Sequence, residues 1–161
     1  AVLYFSPNTN FEKVEKANPK GWMKYTSPDG KVSVKMPNEF EVSEEENEDN
    51  STTKVSCKLG DKTFFVGITK HETPMTSHEE MAQVSLDAFV EQLQGEILSQ
   101  GEYKYKKFPG REAKIKIGDN GYCMYKVVLI KQQQFQLVVV SPEDDFDKTE
   151  KKFFKSFKVK E

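Results

Sequence analysis

Apolar and polar side chains alternate with a period of two along much of this chain, and turn residues interrupt the alternation often enough to mark short antiparallel strands. Val32, Val34 and Met36 alternate with Lys31, Ser33 and Lys35, which predicts a strand with one wet face. Pro28-Asp29-Gly30 supplies the turn that joins it to Trp22 through Thr26, because proline presets one backbone angle and glycine accepts the left-handed one. After Pro37 a polar stretch carries the acidic run Glu44-Glu45-Glu46-Asn47-Glu48-Asp49, read as a solvated loop. Thr53, Val55, Cys57 and Leu59 then alternate with Lys54, Ser56 and Lys58. Gly60-Asp61 turns that strand into Lys62 to Lys70, with Phe64, Val66 and Ile68 pointing inward.

The period then changes. Ser77-His78-Glu79-Glu80 reads as a capping box, and at 100° per residue Ala82, Leu86, Phe89, Val90, Leu93 and Ile97 fall on one stripe, with Val84 off it. The helix is expected to stop near Gln94-Gly95, leaving Ile97 to the next strand. Tyr103 and Tyr105, a turn at Pro109-Gly110, and Ala113, Ile115 and Ile117 follow. Asp119-Asn120-Gly121 is the clearest hairpin turn. Tyr122 to Leu129 is apolar on both parities, which predicts a central strand covered on both faces. Lys131 to Gln134 turns into Phe135 to Val140, and Pro142 ends that strand. Phe146, Phe153 and Phe157 share a helical face, with Phe154 at its edge.

The fold class is therefore α+β: a mainly antiparallel sheet of six to eight strands, with one long mid-chain helix and a short C-terminal helix packed on it. Residues 1–20 read as an irregular arm, polar and without a period; Leu3-Tyr4-Phe5-Ser6 within it resembles part of a cleavable expression tag. Residues 21–161 read as a single domain.

Composition narrows the function classes. The 24 basic residues nearly balance 26 acidic ones, giving a formal net charge of -2, and Arg111 is the only arginine. With no global positive field and almost no bidentate donors, nucleic acid is not an expected partner. No run approaches the roughly 20 apolar residues that cross a bilayer as a helix. Cys57 and Cys123 lie inside regular strands and read as buried small hydrophobes, with a bond between them left open. No nucleophile elbow, phosphate-binding glycine loop or dinucleotide fingerprint is present. No cofactor is expected.

Two constellations carry candidate chemistry. His71 and His78, with Glu72, Glu79 and Glu80, bring imidazoles and carboxylates to a strand end and a helix start; a metal-binding protein or metal-dependent enzyme is the alternative they support. Lys104, Lys106, Lys114 and Lys116 share one parity around the expected turn, with Arg111 just after it. That set forms a candidate partner-binding face, set against the reading that lysines merely blunt a sheet edge.

The pattern Trp-x-x-Tyr-x-x-Pro-Asp-Gly-x-Val-Ser-Val-x-Met-Pro over residues 22 to 37, the mid-chain helix, and Phe153-Phe154-Lys155-Ser156-Phe157 resemble the PsbP-like superfamily. That group includes extrinsic oxygen-evolving-complex proteins, DcrB-like bacterial lipoproteins and a nuclear-transport factor that binds the Ran GTPase. The resemblance spans roughly residues 20 to 159 in element order, rests on packing and turn residues, and contains no catalytic residue. It implies a PsbP-like sandwich and a non-enzymatic binding or accessory module with a protein partner. An exported bacterial setting is implied, periplasmic or membrane-anchored through a lipid attached upstream, with a cytoplasmic setting and an intracellular protein-protein adaptor as the competing expectations.

Overall fold

The computed structural model describes residues 21–72, 78–119 and 121–160. The first hairpin forms as its alternation predicts, from β1 (Met23–Thr26) and β2 (Val32–Met36). Asp29 accepts from the Ser27 hydroxyl at 2.6 Å and from the Lys31 amide at 3.0 Å, which fixes the turn around Gly30. A two-residue strand at the C-terminal end, β10 (Lys158–Val159), pairs with the other edge of β2 and completes a three-stranded sheet in the order β1-β2-β10.

A seven-stranded sheet makes up most of the remainder. Its strands are β3 (Phe40–Glu46), β4 (Asn50–Leu59), β5 (Lys62–His71), β6 (Glu96–Tyr105), β7 (Phe108–Lys116), β8 (Tyr122–Ile130) and β9 (Gln133–Ser141), all antiparallel, in the order β3-β4-β5-β9-β8-β7-β6. Helix α1 (His78–Leu93) covers one face of this sheet at β7 and β8. The three-stranded sheet and helix α2 (Lys148–Ser156) close over the other face. The layering explains why β8 is apolar on both parities. Cys123, Tyr125, Val127 and Leu129 meet α1, whereas Val128 and Ile130 join Tyr25, Val34, Phe64 and Phe153 in the opposite core.

The stripe predicted for α1 is the one it buries. Ala82, Leu86, Phe89 and Leu93 are inaccessible or nearly so, Val84 is exposed, and the Phe89 ring stacks on Tyr125 at 4.4 Å between centroids. The Ser77 capping box lies partly outside the described residues. At the other end the residue that adopts the left-handed conformation is Gln94, with φ 51°. Gly95 serves a different purpose: a Cβ there would stand 2.7 Å from Ile115 Cγ2, so its hydrogen atom lets the helix end approach β7.

Two expectations fail for identifiable reasons. The acidic run is not simply a loop, because Glu44, Glu45 and Glu46 extend edge strand β3 and pair with Thr53, Thr52 and Ser51. An edge strand needs only one ladder of backbone hydrogen bonds and gives no burial signal. Its Val42 is 46% exposed, and its charges keep the free edge from pairing further. Pro109-Gly110 is likewise not a turn. The chain reverses at Lys106-Lys107, with Lys106 in the left-handed region, and Pro109 sits inside β7 opposite Lys104.

Candidate anion-binding face

Helix α2 is built from both ends. Asp147 accepts from the Thr149 amide at 3.0 Å, and Glu150 accepts from the Asp147 amide at 2.5 Å. The reciprocal cap starts the helix immediately after a polar loop. Phe153 and Phe154 fix its inner face, Phe153 meeting Phe64 edge-on at 5.3 Å. Glu150 is buried and its second oxygen lies 2.8 Å from Lys62 on β5, tying the helix to the large sheet. Burial alone would depress the Lys62 ammonium, but the Glu150 hydrogen bond and charge, with Asp145 and Asp147, outweigh it and leave the pKa raised. At the far end Ser156 Oγ accepts from the Lys35 amide at 2.8 Å, taking over the edge of β2 where β10 ends.

This anchoring turns the polar face of α2 outward beside the outer face of the small sheet. Lys148, Lys151, Lys152 and Lys155 recur at three- and four-residue spacing, and together with Lys24, Lys35 and Lys158 they line an open groove of about 510 Å³. A second groove of about 650 Å³ continues past Lys158 and adds Lys31, Lys106 and Lys160. All of these lysines are exposed. Among the described residues no carboxylate lines either groove, and none stands within ion-pair distance of these ammonium groups. Lys24 and Lys35 are directly opposed across β1 and β2, a like-charge pairing that works against the hairpin. Lys148 opens α2, at the positive end of its dipole.

The sequence-derived basic face divides. A two-residue hairpin turn pairs even positions with odd ones, so residues of equal parity on its two strands lie on opposite faces. Lys104 stands opposite Pro109 and Arg111 opposite Glu102, on the α1 side of the sheet that Ala113 and Ile115 mark. Arg111 there hydrogen-bonds Gln100 at 3.0 Å. Lys114 and Lys116 point to the other side, where Lys114 pairs with Asp144 and lies over the Phe146 ring. Lys106, at the hairpin tip, is the one member that belongs to the groove system.

His71 ends β5, 7% exposed, and its burial lowers the imidazole pKa; His78 begins α1, and the Nε2 atoms of both rings are buried with no hydrogen-bond partner among the described residues. Among the described residues no three His, Cys, Asp or Glu side chains gather as a metal ion would require. Cys57 and Cys123 are free thiols in different cores, on opposite faces of the large sheet. Burial pushes Cys57 up to about 12 and Cys123 higher still. Beneath α1, Ser85 donates to Gln134 at 3.0 Å and the Gln136 amide donates to the Tyr125 hydroxyl. These four side chains are fully buried, so they specify how the helix seats rather than offer a surface.

No helix among the described residues is long and apolar enough to cross a membrane. No protein-family model matches the chain, and no curated protein or solved structure matches it significantly.

Proposed function

We propose that this protein is a non-enzymatic binding module that holds an anionic partner against the lysine face formed by α2, the small sheet and the β6–β7 hairpin tip. One observation carries the reading: the face concentrates like charges that repel one another, and the contacts of Lys152 with the Trp22 ring and of Lys106 with the Tyr105 ring offset only part of that repulsion. Lys24 opposes Lys35, and four lysines share one stripe of α2. Each i,i+4 like-charge pair costs a helix roughly 0.2–0.5 kcal/mol. Local rules broken with only partial structural compensation are the mark of a functional surface. The resemblance to exported accessory proteins is in keeping with a binding role outside the cytoplasm.

The test exploits the mismatch between total and local charge. With a pI near 5.9 the protein is net negative at pH 7.5, yet a sulfonate cation exchanger at low salt is expected to retain it through this face. Lys24→Gln/Lys151→Gln/Lys155→Gln/Lys158→Gln should pass through the column and melt at a higher temperature than the parent. Parent protein in the flow-through, or a quadruple variant that is less stable, would reject the assignment.

A further inference from the structure

We infer that the anionic partner is a lipid bilayer surface bearing negatively charged headgroups, an inference that rests on the binding-module reading above. The residue chemistry of the face separates the candidate anions. A protein partner is gripped by buried aromatic or aliphatic anchors in an interface core, where lysine is depleted. Among the described residues the exposed large hydrophobics are Met23, Val42, Val84 and Leu98, and none of them lines either groove. Nucleic acid is gripped by arginine forks and stacking platforms. No arginine lines the grooves, and their aromatic residues are committed inward: Phe157 is buried, and the Tyr105 hydroxyl accepts from the Val159 amide at 2.8 Å.

A bilayer asks for something else. Its headgroups are mobile and present no fixed oxygen geometry, so flexible, well-hydrated point charges spread over several elements suit it better than a preformed cradle. The lysines come from α2, all three strands of the small sheet and a hairpin tip, and every one is exposed. With no exposed apolar wedge lining the grooves among the described residues, the contact there is electrostatic and reverses with salt. The low net charge also matters. A protein at -2 overall has no tendency to coat a negative surface indiscriminately, and the patch therefore selects one docked orientation.

Vesicle co-sedimentation decides the matter. At 50 mM salt the protein is expected to pellet with vesicles of 40% phosphatidylglycerol in phosphatidylcholine, to remain in solution with phosphatidylcholine alone, and to be released by 0.5 M NaCl. At about 1 kcal/mol per lysine near such a surface, neutralising Lys24, Lys151, Lys155 and Lys158 to glutamine should weaken partitioning at least about a hundredfold. A variant of identical charge, Lys58→Gln/Lys70→Gln/Lys104→Gln/Lys116→Gln, removes lysines outside the grooves and should bind as the parent does. Equal loss in both quadruple variants would overturn the assigned surface. Retention on the cation exchanger without vesicle binding overturns the lipid assignment while leaving the binding-module reading standing. Tighter capture of a duplex oligonucleotide or of polyglutamate than of vesicles at the same salt also overturns it. Failure in both the column and the vesicle assay removes the two readings together.

Discussion

Lys62 and Glu150 provide the sharpest test of how the lysine face is held in place. Glu150 has 2% of its side-chain surface exposed and Lys62 14%, and their charged atoms are 2.8 Å apart. Lys62→Met leaves the carboxylate buried with, among the described residues, only the Asp147 amide as donor. Stranding one member of a buried pair costs about 3–5 kcal/mol, and we expect about 3 because that amide remains. Glu150→Gln is milder. The amide oxygen can still accept from Asp147, and Lys62 retains the Asp145 carbonyl at 2.8 Å and the Asp145 carboxylate at 3.7 Å, so about 1–2 kcal/mol is expected. In the double variant no charge is left stranded. Its total loss should be about 2 kcal/mol, well short of the sum of the two single changes, giving a coupling of at least about 2 kcal/mol. Urea denaturation followed by far-ultraviolet circular dichroism and by tryptophan fluorescence measures all four proteins. The single tryptophan, Trp22, reports on the helix directly, because Lys152 of α2 lies 4.4 Å from its ring. Losses that add to within about 0.5 kcal/mol would show that the two groups act independently and would refute the coupling argument.

Two further predictions concern the sheet itself. Gly110→Ala should destabilise the protein by at least about 2 kcal/mol, because a Cβ at that position runs into the Val127 carbonyl of β8, whereas Gly101→Ala on β6, where nothing lies within 4 Å, should be neutral or slightly stabilising; equal effects in thermal melts would refute the close-approach argument. Cys57 and Cys123 should both ignore a thiol reagent in the native protein and both react in urea, since burial holds Cys57 near 12 and Cys123 above that. A native disulfide in mass analysis would contradict their placement on opposite faces of the sheet.

Much of this architecture was legible because the core writes itself into the sequence. Phe64, Val66 and Ile68, the stripe on α1 and the doubly apolar β8 are periodic where burial demands it, and each lies where its period places it. What escaped was whatever burial does not control. The acidic strand β3 is held by backbone pairing at an edge, and β10 is two residues long, so neither leaves a pattern to read. The Asp147 and Glu150 cap is a recognisable signal three residues apart, but it is overshadowed by the phenylalanines that follow it. At Pro109-Gly110 the composition suggested a turn, whereas the glycine answers to its close neighbour on β8.

The lysine face was illegible for a different reason, and that reason bears on how such surfaces should be sought. Its charges enter the chain in three separate stretches, Lys24 to Lys35, Lys106, and Lys148 to Lys160. Each stretch reads on its own as the solvated side of an ordinary element, and the total charge cancels across the molecule. Assembly comes from β10, whose pairing with β2 brings the C-terminal end of the chain beside the first hairpin, and from Ser156, which binds α2 to the same strand. Convergence in space of stretches far apart in sequence separates a chosen surface from a compositional accident. A chain biased towards lysine should scatter the excess across all exposed positions and pair much of it with carboxylates, as Lys62 and Lys114 are paired here. A continuous face whose lysines form no ion pair with a carboxylate among the described residues departs from that expectation, and the small gain in stability forecast for its neutralised variant measures the departure directly.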